Sequence, residues 1–456
     1  MKVDGTGPME ILSHPGAPGK PLKSPRPEGD ASSCTAAGDR TLLDGAGEEP
    51  CRDWTVLIYS SLTRDIDGEG MESLKDLEKA GSDDSVAVAM QLSRNSPPGV
   101  GGWRGARRLF VQGNGGEGNP PSQVLQDLGS VDMSEPRCLS DFVEWGMKRY
   151  PARHYAVVIG GHGGGFIGAV TDLDRSRMMP LPGMEQALKA AGEGAGKKID
   201  VLALNSCLMG QVESAVQLQG AAEWVVASEK PEYGSGMPLG EFVERVRTES
   251  AGGPVDGCRA AGILMEASSL TPGLTPAVGA IDTKALPGLT ASLDALAGRL
   301  LETDTPLDVI KSIIGKSCPA FVPAGDNPPF TDYRDVHDFA ALLFASGEVN
   351  DPALKEAAKD VALQTEKAVA AFASAPYSSL PPVEKKSLED GGIGPESYRD
   401  GYRGLSIYLP TEDLHNFGDF VHQAVTGRYS ELTFARATRW PRVISMLTGA
   451  EENPRS

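Results

Sequence analysis

Two residues in the sequence combine a reactive side chain with a setting that favours reaction. His162 stands in Gly160-Gly161-His162-Gly163-Gly164-Gly165, an imidazole surrounded by five glycines. Small flanking residues let a second chain's backbone come close, and they leave N–H groups able to donate to a developing anion. Cys207 follows the apolar stretch 199–204 and precedes a helix expected from about Gly210. A cysteine near a helix N-terminus gains thiolate character from the helix dipole, and a nearby imidazole adds to it. Thiolate and imidazole together are the equipment of acyl transfer, one to attack a carbonyl and the other to move the proton. Taken singly, Cys207 reads equally well as a buried structural thiol, and His162 as a residue of a glycine-rich turn. Their pairing is what points to chemistry.

Competing motifs are incomplete. A His-Gly-Gly-Gly oxyanion loop of the esterase kind requires a Gly-x-Ser-x-Gly elbow, and Gly234-Ser235-Gly236 does not have that spacing. Gly315-Lys316-Ser317 lacks the glycine five positions earlier that a phosphate-binding loop needs. The cysteines at 34, 51, 138, 207, 258 and 318 are scattered without a Cys-x-x-Cys pair, so neither metal-ligand spacing nor a disulfide framework is expected. The net charge of −19 argues against nucleic acid and anionic membrane surfaces as partners. It suits cationic partners, or solubility alone. No apolar run reaches the ~18–20 residues that cross a bilayer. The N-terminus has no apolar signal segment, so a cytoplasmic location is expected, with secretion left open by an alternative start.

The two residues need elements that bring them together. Residues 1–52 are rich in Gly, Pro, Ser and Asp without hydrophobic period, the composition of a disordered tail. The continuous apolar run at 54–60 is that of a strand buried on both faces. Further strands are expected at 86–90, 107–111, 155–159, 199–204 and 224–228, with 107–111 as an edge strand of a hairpin. Helices are expected at 71–80, 139–150, 181–191 and 211–218. This alternation implies βαβ units and a mostly parallel sheet. Ligands bind beyond the carboxyl ends of such strands, and His162 and Cys207 each stand just past one. From about 285 the pattern turns helical, at 286–301, 307–314, 336–346 and 354–372. A Pro/Ser/Gly-rich linker at 375–394 and a late strand at 404–410 follow. The expected fold class is α/β. Its layout is a tail at 1–52, a catalytic core at 53–284, a helical region at 285–427 that returns a late strand to the core, and a tail at 428–456.

On these residues the sequence resembles the clostripain family of cysteine peptidases, which shares a caspase-like fold with caspases, gingipains and separases. The matching pieces are Trp54-Thr55-Val56-Leu57-Ile58-Tyr59, Tyr155-Ala156-Val157-Val158-Ile159-Gly160-Gly161-His162-Gly163 and Leu204-Asn205-Ser206-Cys207-Leu208-Met209-Gly210. Val226-Ala227-Ser228-Glu229, Tyr333-Arg334-Asp335-Val336-His337-Asp338-Phe339 and Gly404-Leu405-Ser406-Ile407-Tyr408-Leu409-Pro410 continue in the same order. The resemblance implies a caspase-like, mostly parallel sheet flanked by helices, with a helical C-terminal region. It implies a His162–Cys207 catalytic dyad, an oxyanion hole from the backbone N–H groups of Gly163 and Cys207, and a protein or peptide substrate.

One position departs from the family pattern. Where the family has an aspartate two residues before the nucleophile, lining a pocket for a basic side chain, this chain has Asn205. The amide keeps the shape and loses the charge, and with it a strong device for selecting Arg or Lys. Glu229 or Glu232, after the next strand, could supply the charge instead, or lie in an exposed loop. Self-processing between the histidine and the cysteine also follows from the resemblance, with cleavage after Arg175 or Arg177 in the polar stretch 172–180. Calcium is a candidate cofactor on the same basis, although no loop matches a calcium motif. The alternative function is a catalytically inactive caspase-like interaction module. The oligomeric state is not legible.

Overall fold

The computed structural model describes residues 51–95, 103–113, 122–172, 175, 177–232, 236–270, 277–319, 332–374, 401–412 and 427–449, with 378, 382, 385–386 and 389. The tail expected at 1–52, except its last two positions, and most of the linker expected at 375–394 lie outside the described residues.

The architecture is built on a nine-stranded sheet in the order β12-β10-β9-β8-β5-β1-β2-β3-β4. Its strands are β1 (Arg52–Leu62), β2 (Val86–Arg94), β3 (Gly105–Phe110), β4 (Gln123–Gly129), β5 (Ala152–Gly160), β8 (Ile199–Asn205), β9 (Ala222–Ser228), β10 (Ala277–Asp282) and β12 (Val369–Ser374). The five central strands, β9-β8-β5-β1-β2, pair in parallel, and the two strands at each end are antiparallel. Apolar side chains alternate between the two faces as the two-residue period of a strand requires. Leu57, Tyr59, Val157, Ile159, Leu202 and Leu204 enter one core, and Val56, Ile58, Ala156, Val158, Val201 and Ala203 the other.

Helices cover both faces. The first carries α2 (Pro136–Arg149), α3 (Leu181–Ala195), α4 (Val212–Leu218), α7 (Leu286–Glu302), α8 (Leu307–Lys316), α9 (Val336–Ala345) and α10 (Pro352–Ala368). The second carries α1 (Asp67–Ala80), α5 (Leu239–Ser250) and α6 (Gly257–Leu270). Proline occupies the first turn of α2, α3, α7 and α10, where its missing N–H is no loss and its fixed φ is already helical.

Two small sheets stand apart from the main one. One is a hairpin of β6 (Ala169–Asp172) and β7 (Arg177–Met179), and the other pairs β11 (Tyr333–Asp335) with β13 (Ser406–Tyr408).

Four expectations are corrected. The helix expected through residue 372 ends at Ala368, and the chain continues as β12 along the free edge of β10. Its Ala-rich composition reads as helical, but pairing at a sheet edge overrides propensity. The strand at 107–111 is not the edge, because β4 lies outside it. The strand that returns to the main sheet from the C-terminal region is β12, while the late strand at 404–410 is the short β13 of the satellite sheet. The stretch from 428, expected as a tail, carries α11 (Thr433–Ala437) and α12 (Trp440–Thr448), which bury Phe434, Trp440, Val443 and Leu447.

Candidate active site

Strand register brings His162 and Cys207 together. In the parallel pair β5–β8, Gly160 stands opposite Asn205. His162 and Cys207 are therefore each two residues beyond one matched step, on neighbouring strands that run about 4.8 Å apart. Both line one cavity of about 150 Å³ at the carboxyl rim, with Asn205, Ser206, Glu232 and Gly236. A larger cavity of about 240 Å³ opens across β1 on the same rim and shares Leu62 with it, but contains neither His162 nor Cys207. The chemistry-bearing residues single out the smaller one.

The backbone around the pair is tight. A Cβ at Gly163 would stand 2.6 Å from the Cys207 carbonyl oxygen and 2.8 Å from the Ser206 Cβ, so only glycine lets the two turns meet. Leu208, the residue after the nucleophile candidate, has φ 64°, and Val170 has φ 62°. Such values cost a non-glycine residue of order 1–3 kcal/mol and persist only where the surroundings dictate them. The Val170 N–H donates to the His162 carbonyl at 3.0 Å and the Leu208 N–H to the Lys230 carbonyl at 3.1 Å. Both strained residues thus sit at the borders of the turns that carry His162 and Cys207.

The side chains occupy resting partners. His162 Nε2 lies 2.9 Å from Asp65 Oδ2. Burial works against the Asp65 charge, but hydrogen bonds from Thr63 and its own backbone, and the His162 imidazole, hold its carboxyl below the ordinary value. The Cys207 Sγ accepts from the Glu232 N–H at 3.4 Å and lies 3.7 Å from the Glu232 carbonyl oxygen. Burial, with the Glu232 carboxylate nearby, pushes the thiol up to about 11 despite the backbone hydrogen bond that opposes it. The nucleophile candidate is thus a neutral thiol near neutral pH.

The pocket candidates separate. Asn205 lines the cavity, and its Oδ1 accepts from the Met237 N–H at 2.8 Å, which anchors the segment after β9. Glu232 lines it too, and burial pushes its carboxyl up to about 8. The Glu232 Oε1 has no hydrogen-bond partner among the described residues. Glu229 does not line this cavity. It is fully buried, its Oε1 accepts from the Gly404 N–H at 2.8 Å, and burial together with the Asp335 carboxylate raises its pKa well above the ordinary value. It faces the satellite sheet, where the Gly404 N–H meets one of its oxygens and the other, Oε2, has no hydrogen-bond partner among the described residues.

Arg175 and Arg177 belong to the β6–β7 hairpin and do not line the cavity that holds Cys207. Arg175 pairs with Asp172 at 2.7 Å, and Arg177 reaches Asp132 at 3.5 Å with 65% of its side chain exposed. Among the described residues no group of three or more His, Cys, Asp or Glu side chains is arranged to hold a metal ion.

Asp65 was not among the residues singled out from sequence. It follows the end of β1 on the same rim, so the topology that located His162 also pointed to it. Gln211, Glu213 and Tyr333 were missed as site residues as well. They are buried polar groups behind the turns after His162 and Cys207; Tyr333 stands in a block that resembles the family without being marked there as a site residue, and no motif marks Gln211 or Glu213.

The profile of the clostripain family matches residues 116–446. No curated protein sequence matches the chain. Among solved structures, an inactive zymogen C11 protease from Parabacteroides distasonis aligns over 85% of this chain and 98% of that chain, at 16% identity and a TM-score of 0.57. A secreted C11 cysteine protease from Bacteroides thetaiotaomicron, iotapain, aligns over 85% and 99%, at 15% identity and a TM-score of 0.59. A secreted C11 cysteine protease from the same organism, in complex with an irreversible peptide inhibitor, aligns over 86% and 100%, at 14% identity and a TM-score of 0.58. These likenesses carry the caspase-like fold. No helix among the described residues is long and apolar enough to cross a membrane. With 116–446 matched and the fold shared, the chain belongs to the clostripain family of cysteine peptidases.

Proposed function

We propose that the chain is an endopeptidase acting through a Cys207–His162 dyad. The observation that carries this is the β5–β8 register, which sets both residues at one step beyond adjacent strands in one cavity. Cys207 attacks the scissile carbonyl and its sulfur–carbon bond forms as the carbonyl electrons move to oxygen. The Gly163 and Cys207 N–H groups receive that oxyanion. His162 takes the thiol proton and gives it to the departing amine, and water then releases the acyl-enzyme. Asp65, 2.9 Å from His162 Nε2, is placed to orient the imidazole for this transfer.

The substrate pocket lies beside Asn205 and Glu232. Asn205 supplies a neutral amide, and Glu232 supplies a carboxyl whose Oε1 is without a partner among the described residues. A basic side chain after which cleavage occurs would pair with Glu232 and offset its burial. Self-processing after Arg175 or Arg177 is part of the same reading, since the β6–β7 hairpin presents both residues between His162 and Cys207 in the sequence.

A peptide-library cleavage profile with wild type, Cys207→Ala, His162→Ala and Glu232→Gln tests the reading. Cleavage after Arg or Lys by wild type, loss in the first two variants and loss of basic preference in the third are the expected results. Activity that survives Cys207→Ala would overturn it. Intact mass of wild type against Cys207→Ala tests self-processing, which is excluded if both chains remain whole.

A further inference from the structure

The turns that carry the dyad are tied to each other by a buried polar group lying outside the proposed reaction. Gln211 stands four residues after Cys207 and is fully buried. Its Oε1 accepts from the N–H of Phe166, four residues after His162, at 2.8 Å. The Gln211 Nε2 has no hydrogen-bond partner among the described residues, and beside this side chain's turn the Tyr333 hydroxyl donates to the Gly164 carbonyl at 3.0 Å. Gly165 is at φ 63°, and a Cβ there would stand 2.5 Å from the Gln211 amide atoms, so the glycine run is shaped to this side chain. Phe166 packs edge-on against Tyr333, with ring centroids 5.9 Å apart. From the other side, the Arg428 Nη1 donates to the Ile167 carbonyl at 2.8 Å. Gly210 accepts at its carbonyl from the Ser406 N–H at 2.8 Å.

We propose that Gln211 and Tyr333 are positioning residues, a clamp that holds the turn after His162 against the turn after Cys207. The two turns leave neighbouring strands, and past the strand ends no ladder hydrogen bonds hold them in step. The clamp replaces the ladder there. Gly163 lies between His162 and the clamped Gly164 carbonyl, so the tether sets where its N–H points. An oxyanion donor misplaced by about an ångström costs on the order of a hundredfold in rate. The role in rate rests on the peptidase reading above, while the tether itself does not.

Tyr333→Phe removes the hydroxyl and keeps the ring packing. Gln211→Met keeps the volume and removes the amide, and Gln211→Glu keeps the acceptor for Phe166 while losing the donor. With a cleaved peptide substrate, kcat is expected to fall about 10- to 100-fold in Tyr333→Phe and Gln211→Met, with KM within about twofold. Gln211→Glu should recover part of the loss relative to Gln211→Met. Hydrogen exchange in the peptide spanning 162–168 should quicken in the same variants, with the exchange of β5 and β8 unchanged. An active wild type whose kcat is unaltered in both Tyr333→Phe and Gln211→Met would overturn the proposal. If the wild type cleaves no peptide, the peptidase reading has failed, and the clamp then stands or falls on exchange alone. Unaltered protection at 162–168 would overturn it, and faster exchange confined to that turn would support it.

Discussion

The central sheet and the satellite sheet hold the same turns by opposite means. β1, β5 and β8 are lined by apolar residues on both faces, and they position His162 and Cys207 through backbone register. The β11–β13 region holds those turns from behind with buried polar and aromatic groups. Phe166, Tyr333, Tyr408 and Tyr429 cluster with ring centroids 5.0–5.9 Å apart. Within this cluster the fully buried Glu213 accepts from the Tyr408 N–H at 3.1 Å and the Tyr429 hydroxyl at 2.9 Å. Apolar layers tolerate substitution as long as volume and pattern are kept. A buried polar network depends on each partner, since a stranded polar group keeps its desolvation cost. The sheet therefore fixes which residues meet, and the brace fixes how accurately.

The largest effect expected concerns the thiol that both regions hold. With burial pushing Cys207 up to about 11, its alkylation by iodoacetamide should rise about tenfold per pH unit from 7 to 10, roughly a thousandfold in all. Peptide mapping distinguishes it from Cys138 and Cys258, which are also free and partly exposed. A plateau below pH 8 would mean that His162 already forms an ion pair with the thiol in the resting protein.

The next comparison sets one truncation from each region side by side. Trp440 is fully buried, and its Nε1 donates to the Tyr408 carbonyl at 3.0 Å. Phe242 of α5 is fully buried in the apolar core on the opposite face of the sheet. Trp440→Ala and Phe242→Ala should each lower unfolding stability by about 3–5 kcal/mol in denaturant titrations. Only the first removes support from the brace, so only the first should also lower kcat at a temperature where both remain folded. Equal losses of kcat would collapse the distinction.

The same division explains what was legible in the sequence. Continuous apolar runs such as 54–60 and 199–204 announce buried parallel strands, and the rule that sites lie past carboxyl ends then placed His162 and Cys207 on one rim. The brace was legible only in part. The apolar run at 404–410 announced β13, and Tyr333 stands in a block that resembles the family, but neither shows that β11 and β13 pair behind the site, and Gln211 and Glu213 look like the polar face of a short helix. Glu229 read as a pocket residue because proximity in sequence does not reveal which way a strand-end side chain turns. β12 was hidden by its alanines and β4 by its mostly exposed pattern, with no buried residue. α12 was readable: Trp440, Val443, Ile444 and Leu447 have helical spacing with Pro441 in the first turn.

A smaller effect isolates the charge inside the brace. Burial pushes Glu213 up to about 7 from an ordinary 4.5. The folded protein therefore keeps a proton that the unfolded chain gives up between those values. The stability this contributes is complete below about pH 4.5 and is lost as the pH rises through 7. Glu213→Gln retains an acceptor for Tyr408 and Tyr429 and does not ionise. Relative to wild type it should be nearly neutral at pH 4.5 and stabilising by about 3 kcal/mol at pH 8. A variant whose difference from wild type does not change with pH would show that Glu213 ionises as freely in the fold as outside it.

The smallest effect tests whether brace and charge act as one unit. Tyr429→Phe deletes the hydroxyl that donates to Glu213 Oε1 and leaves the ring beside Phe166 and Tyr408. At pH 5, where Glu213 is neutral, the loss is that of one buried hydrogen bond, about 1 kcal/mol. At pH 8 the same hydroxyl faces a carboxylate, and a hydrogen bond to a charged acceptor is worth more. The cost of Tyr429→Phe should therefore grow with pH in the wild-type background and stay flat in the Glu213→Gln background. A double-mutant cycle at the two pH values measures that coupling directly. Coupling at pH 8 with little at pH 5 makes the brace an electrostatic unit, whereas equal coupling at both would reduce it to packing, no different in kind from the sheet it supports.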